Sequence, residues 1–221
     1  MKHFKSVIFI FTQILLLTTS SQAQILKDNS FKHPFYIGGI GGYGSTTWSG
    51  LVSTIQEEQG AVSVSTPIDV REGGGVWGVY TGYEISRFFA IEANYMRYPD
   101  ATIFFDPETS LFTFFHDGAT QFTSQTSAIS VMAKIMLIIP NTTIRAYSSL
   151  GAANVYRKDM LNDNWLMSPT FSAGFNYSLT EHLMAELGGN YTAGFGESSL
   201  NPTNTYFPFL YSVTLRLAYC F

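Results

Sequence analysis

The chain ends in PFLYSVTLRLAYCF, residues 208–221. Every odd position of this stretch is apolar: Phe209, Tyr211, Val213, Leu215, Leu217, Tyr219 and Phe221. From Ser212 onward the even positions hold Ser212, Thr214, Arg216, Ala218 and Cys220, so an extended chain has one continuous greasy face opposite hydroxyls and a charge. A period of two marks a β-strand. A strand of about ten residues with aromatics towards both ends fits the wall of a membrane barrel. A soluble β-sandwich, with the apolar face turned inward, is the competing arrangement.

The same alternation recurs upstream. Phe35, Ile37 and Tyr43 alternate with Tyr36, Gly38, Ile40 and Gly42; Trp77 to Ile85 and Phe89 to Tyr95 form two strands around a tight Ser86–Arg87 turn. Ser127–Ile138 and Ile144–Val155 are separated by Pro140–Asn141, and Phe171–Leu179 and Leu183–Tyr191 by Thr180–His182. With the terminal strand this makes eight. The intervals 45–74, 98–124, 157–167 and 194–207 are long, and the others are short. Such alternation is expected of a barrel with one periplasmic and one external end. The Phe-rich interval 98–124 has room for a hairpin that projects beyond the membrane. The expected fold is therefore all-β: an eight-stranded, antiparallel, up-and-down transmembrane β-barrel over residues 24–221.

Composition and the amino-terminus agree with export. Lys2, His3 and Lys5 precede an apolar run from Val7 to Leu17, and Ser21-Gln22-Ala23 supplies small residues, so residues 1–23 read as a signal peptide. The run is short of the ~20 residues a spanning helix needs. Charged residues make up 13% of the chain, about half the usual share, and no later stretch is long and apolar enough for a spanning helix. A net charge of −4 with scattered Lys and Arg provides no stripe for nucleic acid. The single cysteine, Cys220, has no internal partner for a disulfide.

The terminal strand, together with GYEISRFFAIEANY (82–95), AKIMLIIP (133–140) and SPTFSAGFNYSLTEHLMAEL (168–187), resembles the OmpA transmembrane type of small outer-membrane barrel. The resemblance implies residence in the outer membrane of a Gram-negative bacterium, contact with its lipids, and a terminal Phe221 read by the assembly machinery. It also implies an ion-paired interior that gates a narrow passage, a pattern matched by Glu92 and Lys134. Positions resembling the family's other interior charges hold Ser149 and Asn176. The chain stops at the eighth strand, so the peptidoglycan-binding domain of full-length OmpA-type proteins is not expected, and the first two loops are unusually long.

The strand phases turn Glu84, Glu92, Lys134, Arg145, Glu186 and Arg216 into the lumen, three acids with three bases. An eight-stranded barrel is just wide enough for side chains to fill. Glu92, Lys134, Glu186 and Arg216 lie at similar depths on neighbouring strand pairs, and the expectation is a balanced ionic plug. The alternative is interior packing with no physiological conduction.

Other motifs carry less. Gly39, Gly41 and Gly44 match a dinucleotide-loop spacing, but STTWSG follows with no helical period, so no cofactor is expected. Of four histidines only His116, beside Asp117, is placed outside, without a nucleophile or paired acid, and no two show metal-ligand spacing. Trp48, Trp77, Tyr43, Tyr95, Tyr191, Tyr211 and Phe221 are expected in interfacial girdles. The functional expectation is a non-enzymatic barrel with a structural or surface-interaction role, its loops meeting a host or cell-surface ligand. A low-conductance pore for small solutes and a lipid A-modifying enzyme are the alternatives.

Overall fold

A computed structural model describes residues 33–51, 67–108, 110–195 and 206–221. The proposed signal peptide, and the Glu57–Glu58 part of the first long interval, lie outside the described residues. In chain order the strands are β1 (Phe35–Thr46), β2 (Asp69–Arg71), β3 (Gly74–Ser86), β4 (Phe89–Arg97), β5 (Ala101–Phe104), β6 (Gln121–Ile138), β7 (Ile144–Lys158), β8 (Asp163–Ser178), β9 (Leu183–Thr192) and β10 (Leu210–Cys220). One short helix, α1 (Leu111–Phe115), and a 3-10 turn at Trp48–Leu51 complete the described elements.

Eight strands close the barrel. β1, β3, β4, β6, β7, β8, β9 and β10 each pair antiparallel with the next, and β10 returns to β1 through Tyr36↔Cys220 to Thr46↔Leu210. Closure leaves no open sheet edge within the wall, the condition for crossing lipid with strands. Among the described residues no helix is long and apolar enough to cross a membrane.

Burial alternates over most of the wall, as the sequence pattern requires. Val131, Phe175, Leu187 and Leu215 are exposed on the outer face, while Ser130, Asn176, Glu186 and Thr214 are buried inside. Outward aromatics gather near the long-connection end as Tyr43, Trp77, Tyr95, Tyr191 and Tyr211, and near the short-turn end as Phe35, Tyr83, Tyr177, Tyr219 and Phe221. These are the two girdles of an outer-membrane barrel. Trp48 departs from the expectation: it is fully buried inside the loop-end cluster and has no place in a girdle.

Inside, glycine makes room for tyrosine. Gly82 faces Tyr36 across the β1–β3 ladder, and a Cβ there would overlap the phenol ring. Gly188, two strands from Tyr147, likewise leaves room for the Tyr147 hydroxyl, which a Cβ there would overlap. The glycines therefore let phenol rings lie flat against the inner wall of a crowded lumen.

Two intervals are more ordered than their composition indicates. Residues 157–167 are not a polar loop: β7 and β8 continue the ladder through Arg157↔Asn164 and Lys158↔Asp163, so that the turn occupies only 159–162. Tyr156 and Trp165 pack across this extension at 4.7 Å between ring centroids, and Tyr156 donates to Asp163 at 2.5 Å. The alternation fails there because a ladder beyond the membrane has no lipid face to keep apolar. Interval 98–124 contains the anticipated projecting hairpin, formed by β5 on β6 with β2 added outside, and α1 at its tip. The glycine-rich motif of β1 stays within the strand, and the described residues directly after it, up to Leu51, form only a 3-10 turn.

A luminal ion network beneath a roofed mouth

The wall registers determine which charges meet. Glu186 on β9 is directly opposite Arg216 on β10, whereas Glu92 on β4 and Lys134 on β6 are diagonal neighbours, opposite Met132 and Ala90. All four side chains are essentially sealed from solvent.

The structure joins them into one ring rather than two pairs. Lys134 donates to Glu92 at 3.2 Å and also binds Glu186. Arg216 donates to Glu92 at 2.6 Å and lies 3.8 Å from the far oxygen of Glu186. Each base thus meets one acid along the wall and the other across the narrow lumen. Ions held this deep must be compensated, because desolvation costs several kcal/mol per ion unless partners surround it.

Neutral side chains supply that surround, and they carry no charge that would mark them in the sequence. Tyr36 donates to Glu92 at 3.2 Å, and Asn190 accepts from Arg216 at 2.7 Å. The Lys134 ammonium sits 4.3 Å from the centroid of Tyr147, and the Arg216 guanidinium 5.3 Å from that of Tyr80. Asn176 does the most: its amide donates to Glu186 at 2.7 Å while its carbonyl oxygen accepts from Arg145 at 3.2 Å. Arg145 in turn grips Glu84 through two bonds, at 3.0 and 2.7 Å. Asn176 therefore links the central ring to a second ion pair nearer the short turns. The inward phase of β8 and the resemblance of its position to an interior charge of the family pointed to it, but an amide has no charge to balance.

Towards the mouth the lining becomes apolar. Ile40, Val76, Met96, Val155, Phe207 and Leu210 are buried in one cluster. Beyond them Trp48, Phe105, Phe112, Phe122 and Tyr206 form a separate core contributed by three different connections. Arg157 fastens it: the guanidinium stacks over Trp48 at 4.6 Å, donates to the Tyr206 carbonyl at 2.5 Å, and pairs with Asp159 at 2.6 Å. Glu72 accepts from the Trp48 and Ser49 backbone amides at 2.7 and 3.3 Å. The Tyr206 hydroxyl donates to the Thr47 carbonyl at 2.7 Å, and burial pushes its pKa up. Within the described residues, the connections at this end thus hold a second buried core of their own.

The remaining candidates are scattered. His116 directs Nδ1 to the Phe112 carbonyl at 2.9 Å and stacks on the Phe112 ring, so it serves the end of α1. His182 sits at the opposite end of the barrel, with Nδ1 3.0 Å from the Cys220 carbonyl. Among the described residues no three His, Cys, Asp or Glu side chains are grouped to hold a metal ion. Phe221 follows β10, donates its backbone N–H to Phe35 at 2.8 Å, and leaves its ring half exposed between Phe35 and Tyr219. Ser149 donates weakly to the Ser172 carbonyl at 3.5 Å and joins no ion pair.

A closed antiparallel barrel with a lipid-compatible outer face, two aromatic girdles and a filled, ionised interior is the architecture of a small outer-membrane protein. The sequence model for the outer membrane protein beta-barrel domain matches residues 9–212, and the chain belongs to that family. It is an integral protein of the Gram-negative outer membrane. No curated protein sequence matches it. Among solved structures it is similar to Neisserial surface protein A, with 12% identity, a TM-score of 0.52, and 85% of this chain and 97% of that one covered. It is also similar to AlkL in lipid bilayers, at 13% identity, a TM-score of 0.54, and coverage of 88% and 93%. OprG from Pseudomonas aeruginosa gives 11%, 0.50, and 86% and 96%. At these identities the likeness is one of fold.

Proposed function

We propose that this barrel is a surface-interaction protein, whose loop-end superstructure meets a partner outside the cell and whose lumen is packed rather than conductive. One observation carries this reading: the long connections build a buried aromatic core of their own above the wall. Loops that only joined strands would need no such core, whereas a presented surface needs a rigid support. In this reading the short turns face the periplasm, residues 1–23 direct export, and Phe221 is the end read by the assembly machinery. The ring of Glu92, Lys134, Glu186 and Arg216 acts as a plug.

The test has two arms. Replacing 106–119 by a Gly/Ser linker is expected to abolish adherence of expressing cells to host or neighbouring cells, with heat-modifiable migration retained. Planar-bilayer recording of the intact protein is expected to show no sustained channel. Unchanged adherence together with a steady conductance would instead support a small-solute pore, and a mass shift in lipid A on overexpression would support an enzyme.

A further inference from the structure

The tip of the projecting hairpin displays two phenylalanines that the fold takes trouble to hold outward. In α1, Phe112 is buried against Phe105, with ring centroids 3.9 Å apart, while Phe114 and Phe115 are 79% and 70% exposed. The helix is pinned along its length: the Ser110 hydroxyl accepts from the Phe112 amide at 3.2 Å, Thr113 donates to the Asp106 carbonyl at 3.0 Å, and the His116 backbone N–H donates to the Phe112 carbonyl at 3.1 Å. Asp117 and Gly118 then leave in the left-handed region, at φ 52° and 81°.

Height and charge narrow the partner. β6 runs past the end of β4 from Ser127 to Gln121, roughly 20 Å of extended chain, so the hairpin that carries α1 projects beyond the wall ladder. Between Arg97 and Lys134 the sequence contains no Lys or Arg, whereas Asp106, Glu108 and Asp117 flank the two rings. An apolar pair in an acidic setting selects a surface that is apolar and cationic at once.

We propose that Phe114 and Phe115 are the anchor of a docking tip for a cationic amphipathic protein segment, with Glu108 and Asp117 steering it. The inference rests on the surface-interaction reading and specifies its partner. The probe is a labelled amphipathic Lys/Leu helical peptide, titrated onto the intact protein in phosphatidylcholine nanodiscs, with empty discs as blank. Controls are a Glu/Leu peptide, a scrambled Lys/Leu peptide and phosphatidylcholine vesicles.

Saturable binding of the Lys/Leu peptide is expected to weaken about ten-fold or more in Phe114→Ser/Phe115→Ser, equivalent to about 1.4 kcal/mol. It should also weaken in Glu108→Gln/Asp117→Asn and with added salt. All these side chains are exposed, and heat-modifiable migration checks that each variant is folded. Binding that ignores the phenylalanine change, equal binding of the Glu/Leu or scrambled peptide, or Phe-dependent attachment to vesicles overturns the proposal. So does an absence of peptide binding while the hairpin-tip replacement still abolishes cell adherence; that combination leaves the surface role standing and removes this partner.

Discussion

Arg216 lies directly across the ladder from Glu186, yet its shortest ion-pair contact is with Glu92, 2.6 Å away on β4. The tighter bond therefore spans the lumen, and the wall neighbour is left at 3.8 Å. Lys134 completes the ring by touching both acids. A network tied across the interior resists widening of the barrel in a way that neighbour pairs along the wall would not.

Removing one member should then be felt by all. Lys134→Ala leaves two buried carboxylates sharing one arginine, and a loss of about 3 to 5 kcal/mol is expected. Urea unfolding in lipid vesicles reads it. A double-mutant cycle with Glu92→Ala should show coupling of about 0.5 to 3 kcal/mol; additivity would show that the two do not interact.

Asn176 should behave like a charged residue although it has no charge. Asn176→Leu strands an acceptor on Glu186 and a donor on Arg145, and each lost bond to an ion is worth about 1.5 to 3 kcal/mol. Asn176→Gln should lose less if its longer arm still reaches one partner. Equal midpoints for Asn176→Leu and the wild type in the same unfolding assay would remove Asn176 from the network.

The fit of Tyr36 over Gly82 predicts a specific rescue. Gly82→Ala should destabilise the barrel by about 1 to 3 kcal/mol through overpacking, and Tyr36→Ala should relieve that clash while costing its own bond to Glu92. Thermal unfolding of the two single variants and the double variant checks whether the second substitution adds less in the presence of the first.

Placement in the membrane is tested by charge. Arg at Val131, Leu187 or Leu215, whose side chains face outward near mid-wall, should cost about 2 to 4 kcal/mol, whereas Ser130→Thr or Thr214→Ser inside should cost less. Refolding into bilayers, measured by gel shift and tryptophan emission, compares the two sets. Equal costs would contradict the facing assigned to these strands.

The carboxy-terminus separates assembly from stability. Deleting Phe221 removes a half-exposed ring and one backbone bond to Phe35, so the finished barrel should be little weakened while insertion in cells slows. Cys220→Ser should be nearly silent, since Cys220 is a free thiol. Pulse-chase export with protease protection compares them. Normal insertion kinetics for the deletion would remove Phe221 as an assembly signal.

The wall was legible because lipid enforces a period of two. Wherever Val131, Leu187 or Leu215 must meet hydrocarbon, their neighbours must not, and the six luminal charges could be placed by counting alone. The sequence signal failed where that pressure ends. Above the upper girdle Arg157 to Met167 reads as a polar loop, although cross-strand contacts such as Tyr156 with Trp165 continue the ladder. Trp48 resembles a girdle residue by composition, and only the folding of its connection over Arg157 buries it. The ring itself was half visible: charge and depth named its members, but which oxygen each base would reach depends on how far side chains cross the lumen, which no strand pattern records.

The balanced interior has a consequence for voltage. Glu84, Glu92 and Glu186 offset Lys134, Arg145 and Arg216, so the described lumen carries no net formal charge through the membrane. A potential does work of about 2.3 kcal/mol per elementary charge per 100 mV. Shifting this assembly as a unit along the field therefore requires none, and an applied potential can act on it only by pulling an acid and a base in opposite directions. The barrel is thus electrically silent until its own ion pairs are parted.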